Sequence, residues 1–515
     1  MQDGEPAVVA AQPGSTVHVG SLRRPAGRVP ISSLIGTALF VVLCVLLVDV
    51  VAEGWLVTLF GAQHLDPTTG ATVIEAAGWP KAIKSFLYIT AALLAAAKLT
   101  LDRGWGRLRS GADVALLALA AVLLLAGVFG PSEPKLILEA MFVYFRGAIV
   151  FYAVRALNPG RDRIRRLIWI MGILAGVEVL VAIVQMIVGS AAYRAVGWVD
   201  MGWAKIGRAQ ALLDHPNDVG HLAGLMLLGI FALFGVRETL SRWWWAAAAA
   251  TALALGASQS RESVAAVLLC LVVIFVLRRA HWRRFAGLAG LVILTAAIPI
   301  ATSQVNRDEW VRRFAGVAAA LHIHAGQECA ALGITDAQNP DQSCKGADRE
   351  IRLLYYQQGE RLFVRRPVLG YGIGQFGGIV AYQNNPNWNE DPRFQPVGFN
   401  KYDFNAKTVD AFWLHLTIEA GLAGLVAYLV WLWMLGAPFV KELRARRRAR
   451  APGHPTYYWA PAAILFVTLV ALLSAALEDP LVPPLLFTIV GIGWVVLARD
   501  KASREQTGLR TEQQE

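Results

Sequence analysis

Long apolar runs separated by short polar segments make up most of the chain. A transmembrane helix needs about 20 mostly apolar residues, and twelve runs approach or exceed that length. They cover approximately residues 31–52, 83–101, 112–130, 137–157, 167–189, 216–236, 243–257, 262–277, 285–302, 411–435, 459–477 and 481–498. The pattern predicts an all-α polytopic membrane protein with about twelve transmembrane helices, in which the two shortest runs pack as a pair.

One polar stretch, residues 303–410, interrupts this pattern. It predicts an extracytoplasmic lobe, with amphipathic helices at Asp308–Leu321 and Asp348–Phe363, because apolar residues recur there at helical spacing. The expected order is therefore a cytoplasmic leader, nine helices, the lobe, three helices and a cytoplasmic tail, at residues 1–30, 31–302, 303–410, 411–498 and 499–515.

The distribution of charge supports this topology. Charged residues make up 17% of the chain, against about 25% in soluble domains, and the net charge is +11. Arginines and lysines cluster in short segments that alternate crossings place on one side, such as 161–166 and 441–450. Such a bias is typical of cytoplasmic loops. Both termini are therefore expected in the cytoplasm, and the positive charge is attributed to topology rather than to nucleic-acid binding.

Two of the four cysteines, Cys329 and Cys344, lie in the lobe. A lobe in an oxidising compartment would allow a disulfide between them. His322 and His324 precede this pair, but their spacing matches no common zinc site. No metal and no cofactor are expected.

Two arginines stand apart from the cytoplasmic clusters. Arg208 begins the segment RAQALLDHPNDVGH at the entrance of an apolar helix, and Arg261 ends the short turn SQSR. An arginine with His215 and Asn217 beside a helix N-terminus suits an anion such as phosphate. Together with Ser260 and Arg261 it could neutralise a pyrophosphate through charge-assisted hydrogen bonds. The alternative for both arginines is a structural role at the depth of the lipid headgroups.

Charged groups recur where the chain re-enters the membrane after the lobe. Asp410 lies at the start of an apolar helix, either as its N-cap or as a reactive carboxylate. His415 and Glu419 are one helical turn apart inside the apolar run, where charged groups usually have partners. Arg146 is one candidate partner for Glu419, and a hydrogen-bonded core residue is the plainer interpretation of His415.

The segment Gly372–Gly377, GIGQFG, matches the glycine fingerprint of dinucleotide-binding folds. That fingerprint acts between a strand and a helix within a βαβ unit, and the surrounding sequence predicts no such unit. A turn is expected here instead.

These features resemble the O-antigen ligase and polymerase superfamily of bacterial inner-membrane glycosyltransferases. The resemblance rests on four marks: Arg208 followed by HPN at His215–Asn217, SR at Ser260–Arg261, RRPVLGYGIGQF at residues 365–376, and the re-entry helix with Glu419. The first five helices match only in character. The resemblance implies a multi-pass protein of the bacterial inner membrane with one large periplasmic loop at the position of the lobe.

The resemblance also implies a reaction, the metal-independent transfer of a glycan from undecaprenyl pyrophosphate to a sugar hydroxyl. Arginines matching Arg208 and Arg261 are implied to hold the pyrophosphate leaving group. Ligases of the superfamily carry His-Asn at the re-entry point, where this chain has Asp410 and Ala411. A partly desolvated Asp can serve as the base, and an acidic residue there resembles members that polymerise O-antigen or exopolysaccharide repeats.

Polymerisation is therefore the favoured function, and two alternatives stay open. A ligase would transfer the glycan to lipid A–core and use His215 or His415 as the base. A transporter of the lipid carrier or polysaccharide would place polar groups at mid-membrane, often within repeats, and neither feature is visible. Expected partners are the undecaprenyl-pyrophosphate-linked oligosaccharide, the bilayer and other polysaccharide-assembly proteins. Four residues of the lobe suit either sugar binding or loop packing: Tyr382, Asn384, Trp388 and Phe404.

Overall fold

The fold is built from long apolar helices. The computed structural model describes residues 30–65, 72–75, 78–237, 239–278, 282–302, 307, 351–394, 408–449 and 453–512. Each of the twelve predicted apolar runs overlaps an α-helix, although the run at 459–477 is helical only as far as Val470. Eight helices in the described residues are long and apolar enough to cross a membrane, by length and composition. The chain is therefore a multi-pass membrane protein, and the count of twelve spans stays a prediction.

The helices are numbered here in chain order. The first half contains α1 (Ile31–Leu59), α2 (Trp79–Leu101), α3 (Gly111–Phe129), α4 (Pro134–Leu157), α5 (Arg161–Val188), α6 (Ser190–Ala195) and α7 (Gly202–Lys205). The second half contains α8 (Pro216–Val236), α9 (Arg242–Ser258), α10 (Arg261–Arg278), α11 (Trp282–Thr302), α12 (Ile351–Arg365), α13 (Ile379–Asn384), α14 (Phe412–Arg448), α15 (Thr456–Val470) and α16 (Val482–Glu512).

One short antiparallel hairpin departs from the all-α prediction. Strand β1 (Ala62–Leu65) pairs with β2 (Thr72–Glu75), with Ala62 opposite Glu75. Both strands lie between α1 and α2, where the sequence predicted only a connection between two apolar runs.

The buried core and the lipid-facing surface differ in how they pack, not in polarity. Large aromatic side chains such as Phe151, Phe231 and Trp431 are fully buried where α4, α8 and α14 contact their neighbours. Apolar side chains also cover the outside, and Leu117 and Ile187 are 71% and 72% exposed. Such a surface would be unfavourable in water and suits a hydrocarbon environment.

Helix α14 is broken near its start, and the glycine-rich segment fills the break. Gly421 has a φ of 64°, a left-handed conformation that glycine adopts at little cost. Amides of α14 that the break leaves without helical partners instead donate to the preceding segment, as Leu422 does to the Pro367 oxygen at 2.8 Å. In return Tyr371 donates to the Ile418 oxygen at 2.9 Å. The turn expected at GIGQFG is thereby confirmed, and it belongs to the support of α14.

The polar stretch is described in part. The amphipathic helix expected at Asp348–Phe363 is confirmed as α12, which packs against α14. The helix expected at Asp308–Leu321, the cysteines Cys329 and Cys344, and Phe404 lie outside the described residues.

Candidate active site

Arg208 is buried and is held in one orientation. Its side chain is 4% exposed, so it does not snorkel to the surface as the structural alternative supposed. Nη2 donates to Oδ1 of Asn217 at 2.6 Å, and Nε donates to the Ser258 oxygen at 3.0 Å. The guanidinium also stacks over the Trp203 ring, 5.2 Å from its centroid. The arginine thus joins the N-terminus of α8 to the C-terminus of α9.

The start of α8 shows how the HPN sequence is used. Pro216 occupies the first turn, where its missing N–H breaks no helical bond. His215 is the N-cap residue, and its Nδ1 accepts from the Asn217 amide at 3.0 Å. The side chain of Asn217 is therefore directed to Arg208 and away from the helix amides.

The turn between α9 and α10 carries the second arginine to the same place. Gln259 has a φ of 54°, and this left-handed residue reverses the chain between the two helices. Ser260 is fully buried and bonds to Oγ of Ser263 at 2.7 Å. A Cβ on Gly220 would lie 2.5 Å from Cβ of Ser260, so this glycine lets α8 approach the turn closely. Arg261 follows as the first residue of α10.

Arg352 of α12 supplies a third cation that the sequence did not single out. Its Nη1 lies 3.8 Å from Oε2 of Glu262, the second residue of α10. The charge of Arg352 also acts on Asp410 and on His215, and Arg208 acts on His215 as well. These charge effects place three residues that the sequence singled out in one region around Arg352 and Glu262. The three are Arg208, His215 and Asp410.

Asp410 is a carboxyl group with an exposed side in the segment that leads into α14. The N-cap alternative was wrong, because α14 begins at Phe412 with Ala411 as its N-cap residue. Desolvation by the surrounding protein raises the pKa of Asp410, the positive charge of Arg352 opposes this rise, and the Glu262 carboxylate adds to it. A carboxylate with a raised pKa is a stronger proton acceptor than one with the ordinary pKa.

Backbone hydrogen bonds on both sides fix the position of Asp410. The Val409 amide donates to the Gly377 oxygen at 2.8 Å, which ties the segment to the glycine-rich turn. The Phe412 amide donates to the Ser474 oxygen at 3.1 Å, which ties it to the connection between α15 and α16.

Glu419 holds the glycine-rich turn rather than a substrate. Its Oε1 accepts from the Phe376 amide at 2.8 Å, and its Oε2 accepts from the Tyr144 hydroxyl at 2.9 Å. The predicted partner Arg146 was wrong: Nε and Nη2 of this buried arginine have no hydrogen-bond partner within the described residues. Glu419 is 1% exposed, so its carboxylate acts on the fold and not on a ligand from outside.

The two histidines considered as alternative bases are both occupied. Burial and the positive charge of Arg208 lower the pKa of His215 to about 3, so its ring is neutral and weakly basic. His415 is 3% exposed and lies between two carboxylates. Its Nδ1 is 2.9 Å from Oε1 of Glu478, and its Nε2 is 3.5 Å from Oε2 of Glu419. This geometry matches the core histidine that was the plainer interpretation.

Two further carboxyl groups lie close to the start of α8. Burial and the neighbouring Asp218 raise the pKa of Asp479 to about 7. Burial and Asp479 raise the pKa of Asp214 to about 6. Despite these carboxyl groups, the described part of the chain contains no group of three or more His, Cys, Asp or Glu side chains that could hold a metal ion.

The aromatic and amide residues of the lobe serve mainly in packing. Trp388 is 1% exposed, and its ring centroid lies 5.0 Å from that of Phe376. Asn384 donates to Oε2 of Glu139 at 2.6 Å. Both residues fasten the turn region to its neighbours. Asn384 is nevertheless exposed and Tyr382 is half-buried, so these two are the more accessible of the described candidates for sugar contact.

The arrangement combines the buried Arg208 and the half-buried Arg261 and Arg352 with a carboxylate of raised basicity. Such a pairing can stabilise negative charge on a leaving group while a proton is removed from an attacking hydroxyl. Arg352 was missed because it lies on the polar edge of an amphipathic helix, where a solvated arginine is the ordinary expectation. The sequence contained one signal for Arg352: it follows Ile351, on a helix that has to pack against the membrane domain.

Comparison with protein-family models gives a match. Residues 246–429 match the family model described as O-antigen ligase, a segment that contains Ser260, Arg261, Asp410 and Glu419. A search of curated proteins finds no match. The matched segment begins within α9 and ends within α14, and it therefore includes the turn, α12 and the re-entry point. The match over this segment supports the O-antigen ligase superfamily.

Proposed function

We propose that the chain is a metal-independent membrane glycosyltransferase that polymerises O-antigen or exopolysaccharide repeats carried on undecaprenyl pyrophosphate. One observation carries this proposal: the carboxyl group of Asp410 is accessible and lies in the electrostatic reach of Arg352, in the same region as Arg208. The family match supports a glycosyltransferase-like enzyme of the membrane. Transfer takes place at the periplasmic face of the inner membrane.

The residues take separate roles in one transfer step. The Asp410 carboxylate accepts the proton of an acceptor hydroxyl, and the oxygen of that hydroxyl attacks the anomeric carbon of the donor glycan. The bond between this carbon and the pyrophosphate oxygen breaks, and the electron pair leaves with undecaprenyl pyrophosphate. Arg208, Arg261 and Arg352 stabilise the charge that develops on the departing group, where preorganised cations lower the barrier.

Asn217 and Ser260 act as supports for the arginines in this proposal. Asn217 holds the Arg208 guanidinium at 2.6 Å, so its amide sets the direction of the charge. Ser260 packs against Gly220 and places Arg261 at the start of α10. His215 caps α8 and fixes Asn217 through the backbone. Glu419 belongs to the same supporting group through the glycine-rich turn.

The identity of residue 410 favours polymerisation over ligation. The two ligase bases considered, His215 and His415, are engaged in capping and in carboxylate contacts. A ligase of lipid A–core is the second candidate, and the description of the matched family favours it.

Substitution in a producing strain tests the proposal. Arg208→Ala, Arg261→Ala and Asp410→Asn should each abolish the polymer while the protein stays in the membrane at wild-type amounts. Asp162→Asn, on an exposed residue of α5, is a matched control and should leave the polymer unchanged. Normal polymer from all three site variants would refute the assignment.

The glycolipids of a deletion strain separate the two candidates. Loss of a polymerase leaves single repeats on the acceptor, whereas loss of a ligase leaves free core and accumulates polymer on the lipid carrier. Free core together with carrier-linked polymer would exclude the polymerase.

A further inference from the structure

A groove lies at the far end of α14 from Asp410. It has a volume of about 710 Å³ and is formed by α14, the start of α3 and α16. Its lining changes character along α14: Trp433 and Ala437 come first, and Lys441, Arg444 and Arg448 follow. The spacing of these positions places them on one face of the helix.

The apolar part of the groove faces outward, like the lipid-facing surface. Trp433 is 61% exposed, and Met434 beside it is 37% exposed. Trp494 of α16 forms the opposite wall, and its Nε1 donates to the Leu435 oxygen at 3.0 Å, which fixes the ring. With a helical rise of 1.5 Å per residue, Trp433 lies about 12 Å along the axis from Lys441. An acyl chain and its glycerol group would span this distance.

The basic part of the groove lacks carboxylates. Lys501 of α16 joins Lys441, Arg444 and Arg448, all four side chains are exposed, and no Asp or Glu lines the groove. Within the described residues, none of the four takes part in an ion pair of 4.0 Å or less.

The nearby carboxylates accept hydrogen bonds from arginines on the other face of α14. Oε1 of Glu442 accepts from Nε of Arg446 and from Nη2 of Arg504, both at 2.7 Å. Oδ2 of Asp500 accepts from Nη2 of Arg446 at 3.0 Å. The helix therefore separates paired cations on one face from cations that face the groove.

We infer that this groove binds an anionic phospholipid, with the phosphate among Lys441, Arg444, Arg448 and Lys501 and an acyl chain along Trp433. Basic pockets between transmembrane helices on the cytoplasmic side bind anionic headgroups, and the predicted topology places this end of α14 in the cytoplasmic leaflet. The continuity of apolar and basic lining fits a two-part ligand better than a free phosphate. The site is independent of the proposed transferase function, since it lies at the opposite end of α14.

Lipid titration of the purified full-length protein tests the inference. The protein is delipidated in detergent and titrated with phosphatidylglycerol, with phosphatidylcholine or with sodium phosphate, and Tm is followed by intrinsic fluorescence. Phosphatidylglycerol should raise Tm at lower concentration than phosphatidylcholine, and phosphate alone should not reproduce the effect. Equal responses to the two lipids, or full protection by phosphate, would overturn the inference.

Charge variants locate the effect. Arg444→Gln should weaken the apparent affinity for phosphatidylglycerol about fivefold, the contribution of one cation near an anionic surface. The combined variant Lys441→Gln, Arg444→Gln, Arg448→Gln and Lys501→Gln should lower it by about two orders of magnitude or more.

The matched control removes four exposed arginines that do not line the groove: Arg103→Gln, Arg109→Gln, Arg165→Gln and Arg447→Gln. It should keep the wild-type response. An equal loss in the control would show a diffuse charge effect and refute a site. A photoreactive phosphatidylglycerol should label the peptide of residues 433–448 in the wild type, and labelling only elsewhere would refute it too.

Discussion

The carboxylate of Glu419 is expected to support both the stability of the fold and the position of the base. Glu419→Ala removes the acceptor of two buried donors, the Phe376 amide at 2.8 Å and the Tyr144 hydroxyl at 2.9 Å. Leaving a buried donor without an acceptor costs about 1–3 kcal/mol, so the two together amount to about 2–6 kcal/mol. Glu419→Gln keeps the shape and an acceptor for the amide, and it should cost less than the alanine variant.

The same substitution should lower activity through Asp410. Phe376 is followed by Gly377, whose oxygen accepts from the Val409 amide at 2.8 Å, and Val409 precedes Asp410. If the glycine-rich turn loses its hydrogen bond to Glu419, Asp410, the proposed base, is expected to shift. A displacement of about 1 Å costs on the order of 100-fold in rate, so Glu419→Ala should lose activity to that degree per folded molecule.

The assay is a pair of measurements on protein purified in detergent, Tm and polymer formation from lipid-linked repeats. Glu442→Ala is the matched control, because Glu442 is also buried in α14 and accepts from Arg446 and Arg504 at 2.7 Å. It should lower Tm and leave the activity per folded molecule unchanged. Wild-type values for Glu419→Ala, or an equal activity loss in Glu442→Ala, would refute the reasoning.

Three further pairs of substitutions test other parts of the site and its support. Arg352→Gln removes the charge that lowers the pKa of Asp410, so the acid limb of the pH–rate profile should move to higher pH. Glu262→Gln removes a charge that raises this pKa and should move the acid limb to lower pH. Shifts in the same direction would count against Asp410 as the titrating base. Gly421→Ala should lower Tm strongly, because its φ is 64° and an added Cβ would lie 2.2 Å from a backbone oxygen. Gly172 has open space around it, so the control Gly172→Ala should leave Tm unchanged or slightly raised. Asp410→His should retain more activity than Asp410→Asn, since an imidazole that is neutral can accept a proton and an amide cannot; equal inactivity would point to a requirement for negative charge.

Helix positions could be predicted from the sequence because each depends on its own residues. Runs of about 20 apolar residues have few alternatives in a bilayer. Some observed helices extend beyond the runs, as α14 does to Arg448 and α1 does to Leu59. The hairpin after α1 was missed, since Ala62–Leu65 and Thr72–Glu75 are short and carry no clear alternation.

Contacts between distant segments were harder to predict. Arg208, Asn217 and Ser260 were selected correctly as neighbours of helix ends, where backbone amides and short turns limit what the side chains can do. The partner of Glu419 was wrong because a buried carboxylate can be satisfied by an amide and a hydroxyl as well as by a cation. The sequence offered Arg146 as the nearest charge and gave no sign that the Phe376 amide would be free.

The candidate site consists of two halves that separate bonds hold in place. Arg208 is fixed by Asn217 and by the Ser258 oxygen, within the bundle of α8 and α9. Asp410 is fixed through its neighbours Val409 and Phe412, which bond to the glycine-rich turn and to the connection after α15. Arg352 and Glu262 both act on Asp410 across the two halves, and the charge of Asp410 also acts on Asp218 of α8. Arg352 is the cation among these groups. The charge of a bound leaving group would act on the proposed base through it, because a negative partner for its guanidinium weakens its effect on the pKa of Asp410 and makes the carboxylate more basic when the donor is bound.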